Sequence, residues 1–434
     1  MSALARYFNS KGMEVHGFDR VQTDITNALE SEGISIHYED DVSKIPEALD
    51  LVVYTPAMPQ TSKEWAHFKS SNIPMKKRSQ VIGIISQNYF TIAIAGTHGK
   101  TTTSSILSHI LKQSKKEICC FIGGISKNYD SNFILSDKDE YMIVEADEFD
   151  RSFLELSPDI AIVTSMDADH LDIYGTEDEF KKSFFQFMEQ VKEGGSLITR
   201  YGVEIPESWD FKAVTYSSKS KEGIFYIDKV RKENGKQRFS INGLIAISNV
   251  EFYLPGKYNL ENALAAIIAA EMVGCSKEQI INALKSYTGV KRRFDIRLST
   301  KEIVYIDDYA HHPEEIKACI SAVRDFFPWK RLTGVFQPHL FTRTRDFADE
   351  FAHSLDLLDE IILLDIYPAR EEPIEGVSSQ LLLEKMKNKN KRICSKEELV
   401  KVISNMNPEV LLTMGAGDID QLVKPIEEKL KEIF

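Results

Sequence analysis

No stretch of roughly eighteen consecutive apolar residues occurs in the 434-residue chain, so no membrane-spanning helix is expected. The first residues, MSALARYFNSKGMEVHGF, carry no signal-peptide pattern. Cysteine is scarce: Cys119, Cys120, Cys275, Cys319 and Cys394 are scattered, odd in number and without metal-ligand spacing. That excludes a disulfide framework and suits a reducing cytoplasm, with Cys119-Cys120 reading as a buried strand pair. Positive charge is outnumbered, 53 Lys and Arg against 66 Asp and Glu, for a net charge of −13. This argues against a nucleic-acid surface, and an anionic ligand must be held by local cations and backbone donors. Fixed-period repeats, low-complexity tracts and long linkers are also missing. What remains is the composition of a globular protein, 43% hydrophobic and 27% charged, in a chain long enough for two or three domains.

The most informative stretch follows an apolar run from Tyr89 to Ala95, which reads as a buried parallel strand. Gly96-Thr97-His98-Gly99-Lys100-Thr101-Thr102 comes next, and then a helical stretch with Ile106, Leu107, Ile110 and Leu111 on one face. Strand, glycine-rich turn and helix in that order is the context of a phosphate-binding loop. Backbone N–H groups and a helix N-terminus favour an anion. Lys100 would reach the β- and γ-phosphates of a nucleotide, and the Thr101 hydroxyl would sit on Mg²⁺. An ordinary glycine-rich strand–helix turn is the alternative, but it gives Lys100 and the successive threonines no reason.

Around this stretch the chain reads as α/β in three domains of doubly wound parallel sheets, with Rossmann-like N- and C-terminal domains around a phosphate-loop domain. Residues 1–88 alternate helices and short strands, with Glu14–Phe18 ending at Asp19 and Leu51–Thr55 running into Pro56; a parallel sheet is expected. Residues 89–293 form the central domain. Its strands are Lys116–Ile122, followed by Gly123-Gly124, then Glu140–Val144, Asp159–Ser165 and Ser196–Thr199. Residues 211–254 alternate with glycine breaks and suggest an antiparallel excursion. Residues 294–434 alternate strands Ile303–Ile306, Leu332–Phe336, Ile361–Leu364 and Val410–Thr413 with helices.

Parallel sheets place ligands at strand C-termini, and four polar clusters fall there. Glu145, in Glu145-Ala146-Asp147-Glu148, is the usual kind of second anchor for Mg²⁺; a solvated acidic loop is the alternative. His170, in Asp167-Ala168-Asp169-His170, is a metal ligand or a structural hydrogen-bonder. Asp307-Asp308-Tyr309-Ala310-His311-His312-Pro313 gathers two acids, a phenol and two imidazoles on one turn, more than capping alone requires. Gln337-Pro338-His339-Leu340-Phe341-Thr342-Arg343-Thr344-Arg345 offers arginines that suit a carboxylate bidentately. Arg292-Arg293 stand at a domain junction, suited to reach phosphates or, alternatively, forming a solvated basic turn.

In this order the motifs A-G-T-H-G-K-T-T-T, E-A-D-E, A-D-H, V-K-R-R-F, D-D-Y-A-H-H-P, F-Q-P-H-x-x-T-R-T and M-G-A-G-D-I resemble those of the Mur ligases, ATP-dependent amide-forming enzymes of peptidoglycan synthesis, along the whole chain. The resemblance implies a UDP-binding first domain, a central ATPase and a closing C-terminal domain. It implies that ATP phosphorylates the lactyl carboxylate of UDP-N-acetylmuramate and that L-alanine attacks the acyl phosphate. A ligase recycling whole peptides onto the same sugar nucleotide is the near rival, and a nucleotide-binding protein without ligase activity the distant one. By the resemblance Gly96, Thr97, His98, Gly99, Lys100, Thr101, Thr102, Asn262, Arg293 and Asp308 hold ATP. Thr101, Glu145 and His170 hold Mg²⁺, and Lys100, His170, Asp308 and His311 carry the chemistry. Asp19, Gly123, Gly124, Asn128, Arg151 and Ser152 approach the sugar nucleotide, while Tyr309, His311 and Arg343 form the L-alanine site.

Three departures stand out. Family members carry a strand and glycine-rich turn just before the stretch that here begins at Met1; without them, weak sugar-nucleotide binding and an unstable first domain are expected. Tyr258 stands where relatives usually have histidine, and Leu340 where arginine is often found. The second change leaves carboxylate recognition more dependent on Arg343.

Overall fold

The computed structural model describes the chain except residues 57, 168–170, 210–212, 220, 234–235 and 370. Two compact units form. One comprises Met1–Asp228, Ser240–Ser248 and Glu261–Tyr287, and the other Lys229–Phe239, Asn249–Leu260 and Thr288–Phe434.

The first unit is built on strand Phe90–Ala95, whose Ile92, Ala93, Ile94 and Ala95 are fully buried. A strand apolar on both faces can only lie inside a sheet covered on both sides, and here it has parallel neighbours on each edge. Tyr141–Glu145 pairs on one edge and Ile160–Val163 on the other. Beyond Tyr141–Glu145 lies Ile118–Ser126, and beyond Ile160–Val163 lies Ser196–Arg200, both parallel. All the strands next to Phe90–Ala95 therefore end on the same side, where the glycine-rich loop also lies. Buried Phe153, Phe180, Phe184 and Phe187 pack on one face.

Two sequence expectations for this unit need correction. Val214–Ser217, in the stretch read as antiparallel, pairs parallel to Ser196–Arg200. Its Tyr216 and Ser217 are buried, as suits a strand with parallel neighbours on both edges. The strand expected to stop at Ile122 runs on to Ser126, turns through Asp130 in the left-handed region (φ 48°), and returns antiparallel as Ser131–Leu135.

The N-terminal stretch also differs from the single parallel sheet expected. His16–Phe18 pairs with Ser35–His37, and Val52–Tyr54 with Met75–Lys77, both parallel. Among the described residues these are two separate two-stranded sheets. Helix Ser2–Ser10 contributes Ala3, Leu4, Tyr7 and Phe8 to the core that holds Phe121 and Phe133.

The second unit carries a six-stranded sheet. Its order is Asp295–Ser299, Val304–Asp308, Val410–Met414, Leu332–Phe336, Glu360–Leu363 and Lys391–Ile393. Five strands are parallel, as the strict strand–helix alternation requires, and Asp295–Ser299 is an antiparallel edge that the sequence reading missed. Helix Pro313–Phe326 starts with proline in its first turn, where the missing N–H costs nothing.

Candidate active site

Gly96 and Gly99 both have positive φ, +135° and +89°, and both face close neighbours. A methyl group at Gly96 would run into the Thr164 hydroxyl, and one at Gly99 into the Asn262 amide oxygen. Only glycine fits either position. The loop is pinned from the next strand over: the His98 amide donates to Ser165 Oγ at 3.0 Å, and Thr97 Oγ1 donates to the Asp167 carbonyl at 2.7 Å. Thr164 and Ser165 were not singled out in the sequence; their position directly past a buried strand next to the loop was the available signal.

Helix Lys100–Gln113 starts at Gly99, so its first N–H groups and Lys100 lie at the mouth of the loop. Lys100 Nζ donates to the Gly96 carbonyl at 2.7 Å and to both Glu148 oxygens at 2.7 Å. Burial alone would depress the ammonium, but the carboxylates of Glu148, Asp147 and Glu145 outweigh it, and the pKa is raised. Lys100 is held charged.

Glu145 ends its strand as expected, beside the loop helix. Its carboxylate accepts from Thr101 Oγ1 and Ser104 Oγ, each at 3.1 Å, and from the Gly123 amide. Gly123 has no room for a side chain, because a methyl group would meet that carboxylate. A hydroxyl and a carboxylate, both hard oxygen donors, suit Mg²⁺, which binds through one or two carboxylates and completes its shell with water and phosphate. Among the described residues no three His, Cys, Asp or Glu side chains converge as a metal-holding group. His170, expected as a further ligand, lies outside the described residues.

Four candidates for the sugar-nucleotide side lie elsewhere in the same unit. Asp19 follows strand His16–Phe18 and accepts from the Val21 amide at 3.2 Å. Asn128 donates to the Ser286 carbonyl at 2.9 Å. Arg151 lies over the Tyr174 ring, its guanidinium 5.3 Å from the centroid, and Ser152 donates to Asp150. Asp150 and Arg151 are both left-handed (φ 51° and 60°), a local strain in the turn that follows Glu148. Gly124 follows Gly123 on its strand, and Thr102 is buried in the loop helix.

The second unit brings its own cluster together. Asp308 Oδ2 accepts from the Phe294 amide at 2.6 Å and Oδ1 from the Ala310 amide at 2.8 Å. Burial raises its pKa to about 6, against the opposing pull of Arg293 and these two amides. The guanidinium of Arg293 lies 5.1 Å from the centroid of the Tyr309 ring. Arg292 lies over the same ring, 5.3 Å from its centroid, and is also tied to Asp307 and the Gly415 carbonyl. His311 sits with Nδ1 3.0 Å from the Tyr309 carbonyl and 3.3 Å from Glu315. Burial depresses its pKa, with Arg343 acting in the same direction. His339 stacks on Tyr367 and lies 6.0 Å from His311, ring to ring; burial, His311 and Arg343 take its pKa to about 4. Two neutral imidazoles beside an arginine offer proton acceptors and a carboxylate anchor together. His339 belongs to the Gln337–Arg345 motif, and its contacts with His311 and Tyr367 add it to the candidate site. Leu340 is left-handed at φ 70° and begins helix Phe341–Asp346, which carries Arg343. Tyr258 packs against the core of this unit near Asp308 and Cys319.

Residues 1–90 match the catalytic domain of the Mur ligase family, residues 94–270 the Mur ligase middle domain, and residues 292–417 the glutamate ligase domain. The UDP-N-acetylmuramate–L-alanine ligase of Flavobacterium psychrophilum is 48% identical, covering 100% of this chain and 96% of the relative. The chain belongs to the Mur ligase family. The corresponding ligase of Phocaeicola vulgatus is 46% identical over 98% of this chain and 94% of its own length. Among Mur ligase structures, UDP-N-acetylmuramate–alanine ligase of Thermotoga maritima matches with a TM-score of 0.85 at 26% identity, covering 100% of this chain and 97% of that one. A murein peptide ligase from Psychrobacter arcticus shares the fold, with a TM-score of 0.71 at 20% identity and the same coverage. The ATP dependence of the Mur ligase family accounts for the glycine-rich loop, and no helix among the described residues is long and apolar enough to cross a membrane.

Proposed function

We propose that the chain is an ATP-dependent carbon–nitrogen ligase that joins L-alanine to UDP-N-acetylmuramate through an acyl phosphate, as a cytoplasmic step of peptidoglycan precursor synthesis. The observation that carries this reading is the loop itself, with Lys100 at its mouth and the Thr101 hydroxyl 3.1 Å from Glu145. Residues 1–88 serve the sugar nucleotide, 89–293 serve ATP, and 294–434 serve L-alanine and the nucleotide's far side.

In the first step the lactyl carboxylate attacks the γ-phosphorus and ADP leaves. Two anions meet, so the residues must screen charge. Gly96 to Thr102 present backbone N–H groups and Lys100 to the phosphates, with Asn262 beside Gly99. Thr101, Glu145 and His170 would hold Mg²⁺, which when bound neutralises phosphate charge. Arg293 and Asp308 also act on the nucleotide. In the second step the amine of L-alanine attacks the acyl carbon, the tetrahedral intermediate collapses and inorganic phosphate departs. His311, kept neutral by burial, takes the proton from the amine, and Arg343 holds the amino-acid carboxylate while Tyr309 shapes the pocket. Asp19, Gly123, Gly124, Asn128, Arg151 and Ser152 serve the sugar nucleotide.

The high identity to L-alanine ligases along nearly the whole chain favours a single amino acid over a whole peptide as the acceptor. Phosphate release with ATP, Mg²⁺, UDP-N-acetylmuramate and L-alanine tests the reading, with one component omitted at a time. Release that needs all four and vanishes in Lys100→Ala is the expected result. Release that needs a peptide in place of L-alanine supports the recycling ligase. ATP binding without release under any combination supports the non-catalytic reading.

A further inference from the structure

Lys100 has three N–H donors and all three are engaged: one with the Gly96 carbonyl and two with the Glu148 carboxylate. Glu148 is 1% exposed, so this carboxylate does not exchange its partner for water. It is seated from behind. The Tyr174 hydroxyl and the Arg151 amide both donate to the Glu148 carbonyl, and the Arg151 guanidinium lies over the Tyr174 ring. The carboxylate has the same charge sign and bidentate oxygen geometry that a nucleotide phosphate would present to the ammonium.

We infer that Glu148 occupies the phosphate position on Lys100 and competes with the nucleotide for it, so that this residue sets the affinity for ATP. With no donor left over, a phosphate oxygen reaches the Lys100 ammonium by displacing one of its present acceptors, and two of the three are Glu148 oxygens. The reverse exchange after turnover returns Lys100 to Glu148 and helps the phosphate product leave. Glu148 acts on the nucleotide through Lys100 and is a positioning residue. The inference rests on the reading of Lys100 as the phosphate ligand and adds a residue to which that reading gives no role.

The test is equilibrium binding of Mg·ATP to the full chain, without sugar nucleotide or L-alanine, for the wild type, Glu148→Gln and Tyr174→Phe. Glutamine keeps the size and one oxygen acceptor but removes the charge. Lys100 then exchanges an ion pair for a weaker charge–dipole contact with the amide oxygen, so ATP should bind about tenfold more tightly to Glu148→Gln. Tyr174→Phe removes only the hydroxyl behind Glu148 and should shift affinity in the same direction by a smaller factor. In turnover, Glu148→Gln should lower both KM for ATP and kcat, whereas a merely structural role would raise KM. Folded variants that bind ATP as the wild type does, or more weakly, overturn the inference while leaving the ligase reading intact. If Glu148→Gln does not fold, unchanged or weaker binding by Tyr174→Phe overturns it alone. A wild type that fails to bind Mg·ATP overturns both readings.

Discussion

His109 lies in the loop helix, nine residues beyond Lys100, and is 2% exposed. Its ring nitrogens meet the Tyr129 hydroxyl and Ser286 Oγ, each at 2.9 Å, and the Tyr287 ring lies 5.6 Å away, centroid to centroid. Burial lowers its pKa from 6.5 to about 4. Between these values the unfolded chain binds a proton that the folded one refuses, so stability rises with pH across the window and is lost as pH falls through it. The full shift of about 2.5 units corresponds to about 3 kcal/mol, of which about 2 kcal/mol is gone by pH 5. His109→Gln keeps a donor and an acceptor for Tyr129 and Ser286 but does not titrate. Urea unfolding of both proteins at a series of pH values from about 7.5 to 5 reads the difference. The wild type should lose about 2 kcal/mol more than the variant on acidification. Parallel pH profiles would refute the argument, since they would mean that His109 takes up its proton as readily folded as unfolded.

Asp308 gives the opposite sign. Its pKa is raised by burial to about 6, so it subtracts from stability as pH rises between about 4 and 6, by at most about 3 kcal/mol; the urea midpoint of Asp308→Asn should fall less steeply than that of the wild type over that window. Gly99→Ala meets both a left-handed backbone, at about 1–2 kcal/mol, and the Asn262 amide, so KM for ATP should rise at least tenfold with KM for L-alanine little changed. Arg343→Lys gives up the planar fork that fits a carboxylate, and KM for L-alanine should rise about tenfold or more while ATP binding holds, as measured by phosphate release against each substrate.

The strand–loop–helix at Tyr89 to Leu111 was legible in the sequence because its signals are local. A doubly buried strand must be continuously apolar, and a tight phosphate turn needs glycine at the two positions that prove left-handed, Gly96 and Gly99. The placement of Glu145 and of the Asp307-Asp308 pair at strand ends was legible for the same reason, since each directly follows a short apolar run. The short N-terminal strands were harder: they are three residues long and half exposed, too weak a pattern to reveal their pairing as two separate sheets. The antiparallel return Ser131–Leu135 and the edge Asp295–Ser299 were missed because alternation alone does not say which partner a strand will take.

By itself, then, the sequence determined the α/β class, the loop and the strand-end positions of its acids, all set by neighbours a few residues apart. Only the tertiary structure decided which of the three acids in Glu145-Ala146-Asp147-Glu148 the lysine takes. Glu148 lies 48 residues from Lys100, yet both of its oxygens meet the ammonium, while Glu145 turns to Thr101, Ser104 and Gly123. Two adjacent parallel strands bring these positions together, and burial then forces each charge to find a specific partner.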